Sequence, residues 1–208
     1  MNISQTKDML IYVAERIMEN RDELCRIDAQ IGDGDHGIGM YNGMKKAKEA
    51  LESREFGSVS DIFTTMGTAM LMTMGGASGV IFGTVFMGAF KEEPDLQKLD
   101  AGALARGMCR SQAALGHRVK SQLGDKTMLD AFIPAVEALE ACQEESLIQA
   151  LGEAEKAAKA GVEATKGYVA KYGRAKTLGE RAVGFQDAGA TSVYLIFHFM
   201  REWVEANG

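Results

Sequence analysis

The stretch Asp28-Ala29-Gln30-Ile31-Gly32-Asp33-Gly34-Asp35-His36-Gly37-Ile38-Gly39 decides how this 208-residue chain is read. It contains the spacing GxGxxG at Gly32, Gly34 and Gly37, which in a βαβ unit marks a dinucleotide site. That reading fails on two counts. The residues before it, Leu24 to Gln30, do not read as a strand, and Asp33 and Asp35 inside the loop would repel a bare pyrophosphate. An EF-hand fails too: counting Asp33 as the first loop position, the bidentate glutamate position falls on Met44. What remains is three carboxylates, Asp28, Asp33 and Asp35, on a backbone loosened by glycine. Packed together they raise one another's pKa unless a cation lies among them, and hard oxygen ligands suit Mg²⁺. A solvated acidic turn, with Asp28 ending a helix, explains the same residues, and spacing alone leaves both readings open.

Outward from this loop the pattern is helical. Met9/Leu10, Val13, Ile17 and Leu24 recur at helical spacing behind Ser4 as an N-cap. A second helix is expected from about Gly39 to Leu51. Ser58 followed by Asp61 opens a third, continued by Ile62, Met66, Ala69/Met70 and Thr73. Ser78 to Phe90 is bulky on all sides and reads as a buried helix. Asp100 caps a helix to about Gln112. Asp125 or Thr127 caps one to about Cys142, with Pro134 as a local irregularity. Ser146 to about Lys171 reads as a long amphipathic helix, with Leu147, Leu151, Ala154, Ala158, Val162 and Val169 on one face, and Ala190 to Val204 as the last. No segment alternates as a strand does. The expectation is one all-α domain of eight helices over residues 1–208, with Lys91–Lys98 as a surface loop.

Composition narrows the function classes. Net charge is −6, so no general basic surface exists for nucleic acid or anionic lipid. Cys25, Cys109 and Cys142 are odd in number and widely spaced, which favours reduced thiols and a cytoplasmic setting. No signal peptide is evident, and the most apolar stretch, Ala77–Phe90, is too short to span a bilayer. The chain has 24 Gly and only 2 Pro, an unusual pairing that raises the question of where the glycines lie.

They gather in loops. Met74-Gly75-Gly76-Ala77-Ser78-Gly79 opens a helix, and such a turn offers free N–H groups and the positive dipole end to an anion. No Gly-Lys-Ser/Thr follows, so it is not a Walker A loop; tight helix packing is the competing explanation. Gly124-Asp125-Lys126-Thr127-Met128 is a shorter loop of the same kind. Leu178-Gly179-Glu180-Arg181 and Asp187-Ala188-Gly189-Ala190-Thr191-Ser192 precede the last helix. Asp187 can cap that helix or accept from a ligand, and Arg181 can neutralise phosphate charge through its planar fork. The Met66/Met70/Met72/Met74 cluster reads as core packing. Trp203, His117 and His198 read as packing or surface residues.

Taken in order, these strings resemble the ADP-binding L subunit of dihydroxyacetone kinase, over essentially the whole chain. The matching segments are Asp28…Ile31-Gly-Asp-Gly-Asp-His-Gly37, Gly75-Gly-Ala-Ser-Gly79, Gly124-Asp-Lys-Thr-Met128, Leu178-Gly-Glu-Arg181 and Asp187-Ala-Gly-Ala-Thr-Ser192. The resemblance implies an antiparallel eight-helix barrel with a nucleotide site at one rim. By it, Asp28, Asp33 and Asp35 hold two Mg²⁺ ions that bridge the phosphates of ADP or ATP. His36, Gly37, Ile38 and Gly39, with Ala77 and Ser78, lie against the phosphates. Met128 contacts the nucleoside, Arg181 clamps phosphate, and Asp187, Ala188 and Gly189 close the site. It also implies split chemistry: a small ketose is held covalently on a separate sugar-binding K subunit, and this chain supplies the phosphoryl group by positioning and charge neutralisation. No catalytic residue is assigned here. Rephosphorylation of ADP in place by a phosphotransferase-system subunit is the expected donor route. Three departures stand out. The family loop Gly-His-x-Asp-Pro-Gly-Ala reads Gly184-Phe185-Gln186-Asp187-Ala188-Gly189-Ala190, and Val119 stands where the family often has Gly. They motivate an alternative, a nucleotide-dependent regulatory or adaptor module without kinase activity. A fatty-acid kinase domain ranks below both, because its Pro-Asp-Gly-Asp-Thr-Gly string is absent.

Overall fold

A computed structural model describes residues 1–208. The chain is all-α, with no strand. Nine α-helices form: α1 Ile3–Glu19, α2 Arg21–Asp28, α3 His36–Glu52, α4 Val59–Thr73, α5 Gly76–Ala89, α6 Ala101–Gly116, α7 Leu129–Ala141, α8 Leu147–Thr165 and α9 Ala188–Asn207. A 3-10 segment, Arg174–Ala182, lies between α8 and α9.

The ninth helix arises because the expected first helix is broken. Asn20 folds back, its N–H and side-chain amide both donating to the Arg16 carbonyl, and α2 starts afresh behind it. Asn favours such local bonding over helix continuation, which periodicity does not register. The start of α1 is also two residues earlier: Asn2, not Ser4, is the cap, in a reciprocal box with Gln5. Ser58 and Asp100 cap α4 and α6 as expected, accepting from the Asp61 and Ala103 N–H groups, and Ser146, where a helix is expected to start, caps α8 by accepting from Gln149 N–H. Neither Asp125 nor Thr127 is the cap of α7. That helix begins behind Met128, and the carboxylate of Asp130 inside its first turn reaches back to the Gly124 and Thr127 N–H groups at 2.6 and 2.7 Å. The helix expected to reach Lys171 ends at Thr165. Val169 lies beyond it and is exposed, while Leu151, Ala154, Ala158 and Val162 are buried.

Helix packing follows chain order. α3 packs on α1 and α4, each later helix packs on its successor, and α9 returns to α1. α2 packs on the first turn of α3 and on α9. The core between them is filled by Phe63, Phe82, Phe86, Phe90 and Phe132, with Phe63 and Phe90 edge to face at 4.8 Å. α5, expected to be buried from Ser78 to Phe90, starts two residues earlier; Gly76 and Ala77 in that first turn and Val80 are exposed, Ser78 is half-buried, and Gly79 and the run Phe82–Phe86 are buried. The segment Lys91–Lys98 runs over the surface, and the Met1 amine and carbonyl close on Leu99 behind it. The three cysteines are free. No helix is long and apolar enough to cross a membrane.

α8 and α9 are tied by a polar contact away from the loops just discussed. Glu155 accepts from His198 Nδ1 at 2.9 Å and from the Arg201 guanidinium. Burial pushes its carboxyl up, but these two bonds outweigh burial and hold it below the usual glutamate value. A carboxyl depressed in the folded state stabilises above its unfolded pKa, and that stability is lost as pH falls through the folded value. Glu155→Gln is therefore expected to lower stability by about 2 kcal/mol at pH 7. The gap between urea midpoints of variant and wild type should narrow below about pH 4. An unchanged gap at pH 3 would contradict this.

Candidate functional site

One large cavity, of about 880 Å³, opens where the acidic loop, the α4–α5 turn, the α6–α7 loop and the segments flanking the 3-10 turn meet. Its volume is in the range of small-molecule sites. Four helices begin in its wall: His36 of α3, Gly76 of α5, Leu129 of α7 and Ala188 of α9 are all lining residues. Four helix starts thus bring their positive dipole ends to one wall, an arrangement that favours negative charge in the space between them.

The acidic loop forms one side. Single carboxylate oxygens of Asp28, Asp33 and Asp35 lie within 4.8 Å of one another. Burial pushes the Asp35 carboxyl up, and repulsion from Asp33 and Asp28 adds to it. A cation placed among them would remove that repulsion, and three oxygens at this spacing fit a hard divalent ion such as Mg²⁺. The opposing positive charge is Arg174, whose Nε lies 2.8 Å from Asp33 Oδ2.

His36 turns its ring inward. Nε2 meets Ser192 Oγ of α9 at 2.8 Å, and burial pushes its pKa down to about 4, so the imidazole is neutral. Its backbone N–H donates to Asp28 Oδ2 at 3.3 Å. The His36 ring thus locks α3 to α9, while the main chain of this turn faces the cavity. Opposite, Asp187 caps α9 through Ala190 N–H at 2.7 Å. Its carboxyl is pushed up to about 6, chiefly by burial.

Asp28, Asp33, Asp35, His36, Ile38, Gly39, Ala77, Ser78, Met128, Asp187, Ala188 and Gly189 all line this one cavity. Two residues named from the sequence do not. Gly37 is buried against α2: a Cβ there would lie 2.1 Å from the Arg21 carbonyl oxygen, so the glycine sets how closely α2 and α3 approach. Arg181 is exposed, with only a long contact to the Leu178 carbonyl. The 3-10 segment packs Ala175, Leu178 and Ala182 against Ile31 of the acidic loop, and this turns Arg174, not Arg181, into the cavity wall. Lys120, Lys126 and Tyr172 line it as well. The string Lys171-Tyr-Gly-Arg174 carries no spacing signature, so only packing reveals it.

The three departures leave the wall intact. Lys126 is the one non-glycine residue with positive φ, so Val119 sits in ordinary backbone. Ala188 is the first residue of α9, a position that proline also suits but does not require. Phe185 contributes its carbonyl, which any residue supplies.

The domain is all-helical, with an acidic loop and four helix starts gathered at one cavity. The sequence profile of the DAK2 domain matches residues 30–202, and the chain belongs to that family. It is 39% identical over 186 residues to the ADP-binding subunit DhaL of PEP-dependent dihydroxyacetone kinase 1 from Listeria innocua, covering 89% of each chain. It is 33% identical to the corresponding Escherichia coli subunit, over 96% of this chain and 97% of that one. A D-erythrulose kinase from Mycolicibacterium smegmatis is 38% identical, but this chain spans only 32% of it. The crystal structure of dihydroxyacetone kinase from C. freundii in complex with AMP-PNP and Mg2+ superposes with a TM-score of 0.72 at 25% identity, over 96% of this chain and 34% of that one.

Proposed function

We propose that this chain is the nucleotide-carrying subunit of a kinase for dihydroxyacetone or a related small ketose. The observation that carries the reading is the convergence of four helix starts and a three-carboxylate cluster on one cavity. A nucleoside di- or triphosphate with its divalent ion presents the charges that such a wall complements. Asp28, Asp33 and Asp35 would hold Mg²⁺, one ion or two, which supplies neutralisation of phosphate charge when bound. His36, Ile38 and Gly39, with Ala77 and Ser78, would lie against the phosphates. Met128 would lie against the nucleoside, and the Asp187–Gly189 turn would close the wall. Arg181 and Arg174 are the two candidates for the phosphate clamp. Arg174 has the better support, because it lines the cavity and must leave Asp33 for a phosphate when a metal ion takes that carboxylate. The neighbour order of the helices supports the eight-helix barrel, with α2 as an addition to it. A cytoplasmic setting agrees with free cysteines and with the relatives' names.

The sugar would come on a partner protein, and phosphoryl would be restored by a phosphotransferase-type donor. Support for a partner comes from the rim. The exposed large apolar residues are Ile38, Leu71, Met72, Val80, Leu123, Val169, Tyr172, Val183 and Phe185. All lie on or beside the loops that line the cavity, and none is at the opposite end of the bundle. Apolar surface ringing a polar mouth suits a protein that docks over it.

Mixing this chain with the sugar-binding subunit and donor of its own host is expected to phosphorylate a small ketose. No transfer to any ketose, with Mg·ADP still bound, would favour the regulatory module instead. In the same assay Met72→Glu, at 82% exposure on the rim, should cut turnover at least about tenfold and leave ADP affinity unaltered. Full turnover in that variant would remove the rim from the docking surface.

A further inference from the structure

Lys126 is a buried cation in the cavity wall. Its side chain is among the largest that are fully buried, at 1% exposure. Its backbone is left-handed, with φ 60°, which a lysine adopts only under constraint. It forms no salt bridge. Instead the ammonium donates at 2.5 Å to the carbonyl of Thr165, the last residue of α8, and at 2.5 Å to the carbonyl of Phe185 in the turn before α9. Burying a charge is unfavourable unless it is fully hydrogen-bonded, so a cation on two main-chain carbonyls is costly as a mere filler. The negative end of the α8 dipole offsets part of that cost.

The two carbonyls belong to segments that reach the cavity from different directions. Thr165 also takes the Asp187 N–H on its hydroxyl at 3.0 Å, and that hydroxyl donates back to Val162. Gly184 N–H donates to the Lys166 carbonyl at 2.7 Å. Asp187, Ala188 and Gly189 thus hang from α8 and from Lys126. Lys126 is itself followed by Thr127 and Met128 in the same wall. A Cβ at Gly189 would come within 3.2 Å of Met128 Cβ, so the two walls are in close register beside the ammonium.

We propose that Lys126 is a positioning residue for the bound nucleotide: its ammonium pins the Phe185–Gly189 turn to the end of α8 and to the Thr127-Met128 wall, and so sets how long a nucleotide stays in the cavity. The inference rests on the nucleotide reading given above. It assigns the turn's rigidity to a cation that need not touch the ligand. It also explains how Phe185 is tolerated, since the pinned group at 185 is a carbonyl.

The test uses the full chain loaded with Mg·ADP carrying a fluorescent label. Lys126→Met keeps the length of the side chain and removes the ammonium. Labelled ADP is expected to leave this variant at least tenfold faster than wild type, at a temperature well below both unfolding midpoints. Hydrogen exchange should rise at the amides of residues 183–189 and stay unchanged in α1 and α3. Mn²⁺ binding to the acidic loop, read by electron paramagnetic resonance, should be unaffected. If Lys126→Met does not fold, Lys126→Gln removes the charge and shortens the side chain while keeping a neutral N–H donor, and it is expected to give a smaller acceleration of the same kind. A release rate the same as wild type, in a folded Lys126→Met or failing that in Lys126→Gln, overturns the positioning role. Wild type that binds no Mg·ADP overturns the nucleotide reading itself, a different result from the same titration.

Discussion

Replacing Asp33 and Asp35 together by alanine is expected to abolish magnesium-dependent ADP binding while leaving the helical signal in circular dichroism unchanged. Both carboxylates are on the loop between α2 and α3, and neither is needed to hold that loop together. The turn is kept by main-chain bonds from Ile31 and Gly32 to the Asp28 carbonyl, and by packing of Ile31 on Ala170, Ala175 and Ala182. What the double variant loses is two of three carboxylate oxygens that lie within 4.8 Å, and with them the ability to hold a divalent ion. It also removes the mutual repulsion of the three carboxylates, which in the wild type adds to burial in pushing the Asp35 carboxyl up. The fold should therefore survive or gain slightly, whereas calorimetric affinity for ADP in Mg²⁺ should fall by at least about 100-fold, or roughly 2.7 kcal/mol. Affinity within a few-fold of wild type would show that the nucleotide is held without these carboxylates. Arg174 offers an internal check. Without Asp33 it has no ion-pair partner, so any residual ADP binding should become more sensitive to salt.

Gly161→Ala is expected to lower stability by about 3 kcal/mol, a large effect for one methyl group. A Cβ at that position would lie 2.1 Å from the Asp130 carbonyl oxygen and 2.7 Å from Ala131 Cα. Both are backbone atoms of α7, so no side-chain rotation relieves the clash and α8 must move away from α7. Pro134 bears on the same carbonyl: proline has no N–H to donate to Asp130 O four residues earlier, so that oxygen lacks its helical partner where α8 passes. A glycine on α8 and a proline on α7 thus solve one packing problem between them. Movement of α7 would also drag Asp130, which organises Gly124 and Thr127, and through them the wall carrying Met128. Gly152→Ala on the same helix is the control. Its added methyl would meet only Arg201 Cδ at 3.8 Å, so that variant should gain up to about 1 kcal/mol from better helix propensity. Equal denaturant midpoints for Gly161→Ala and wild type would show that α7 and α8 are not packed this closely.

The legible part of this protein is the part written in short range. Helical periodicity, the caps at Ser58, Asp100, Ser146 and Asp187, and the acidic loop depend on residues within a turn or two of each other, so the chain alone specified them. The break at Asn20 escaped because apolar spacing runs through it unbroken, while the polar side chain that ends α1 leaves no periodic trace. Gly37 belongs by its string to the loop expected to face phosphate, but its neighbours are α2 backbone atoms, and a missing side chain does not announce what fills its place.

The unusual glycine count has a double origin for the same reason: some glycines open the cavity loops, and others, such as Gly37 and Gly161, let backbones touch. Which arginine faces the cavity depended on how the 3-10 segment settles on Ile31, a contact across more than 140 residues of chain. Whether Lys126 is a surface charge or a buried pin depended on where the ends of α8 and the Phe185 turn come to rest. Local sequence determined the elements, the loop that carries the carboxylates and the class of ligand they suit. Tertiary packing decided which side chains share the cavity, because burial and reach are set by segments far apart in the chain.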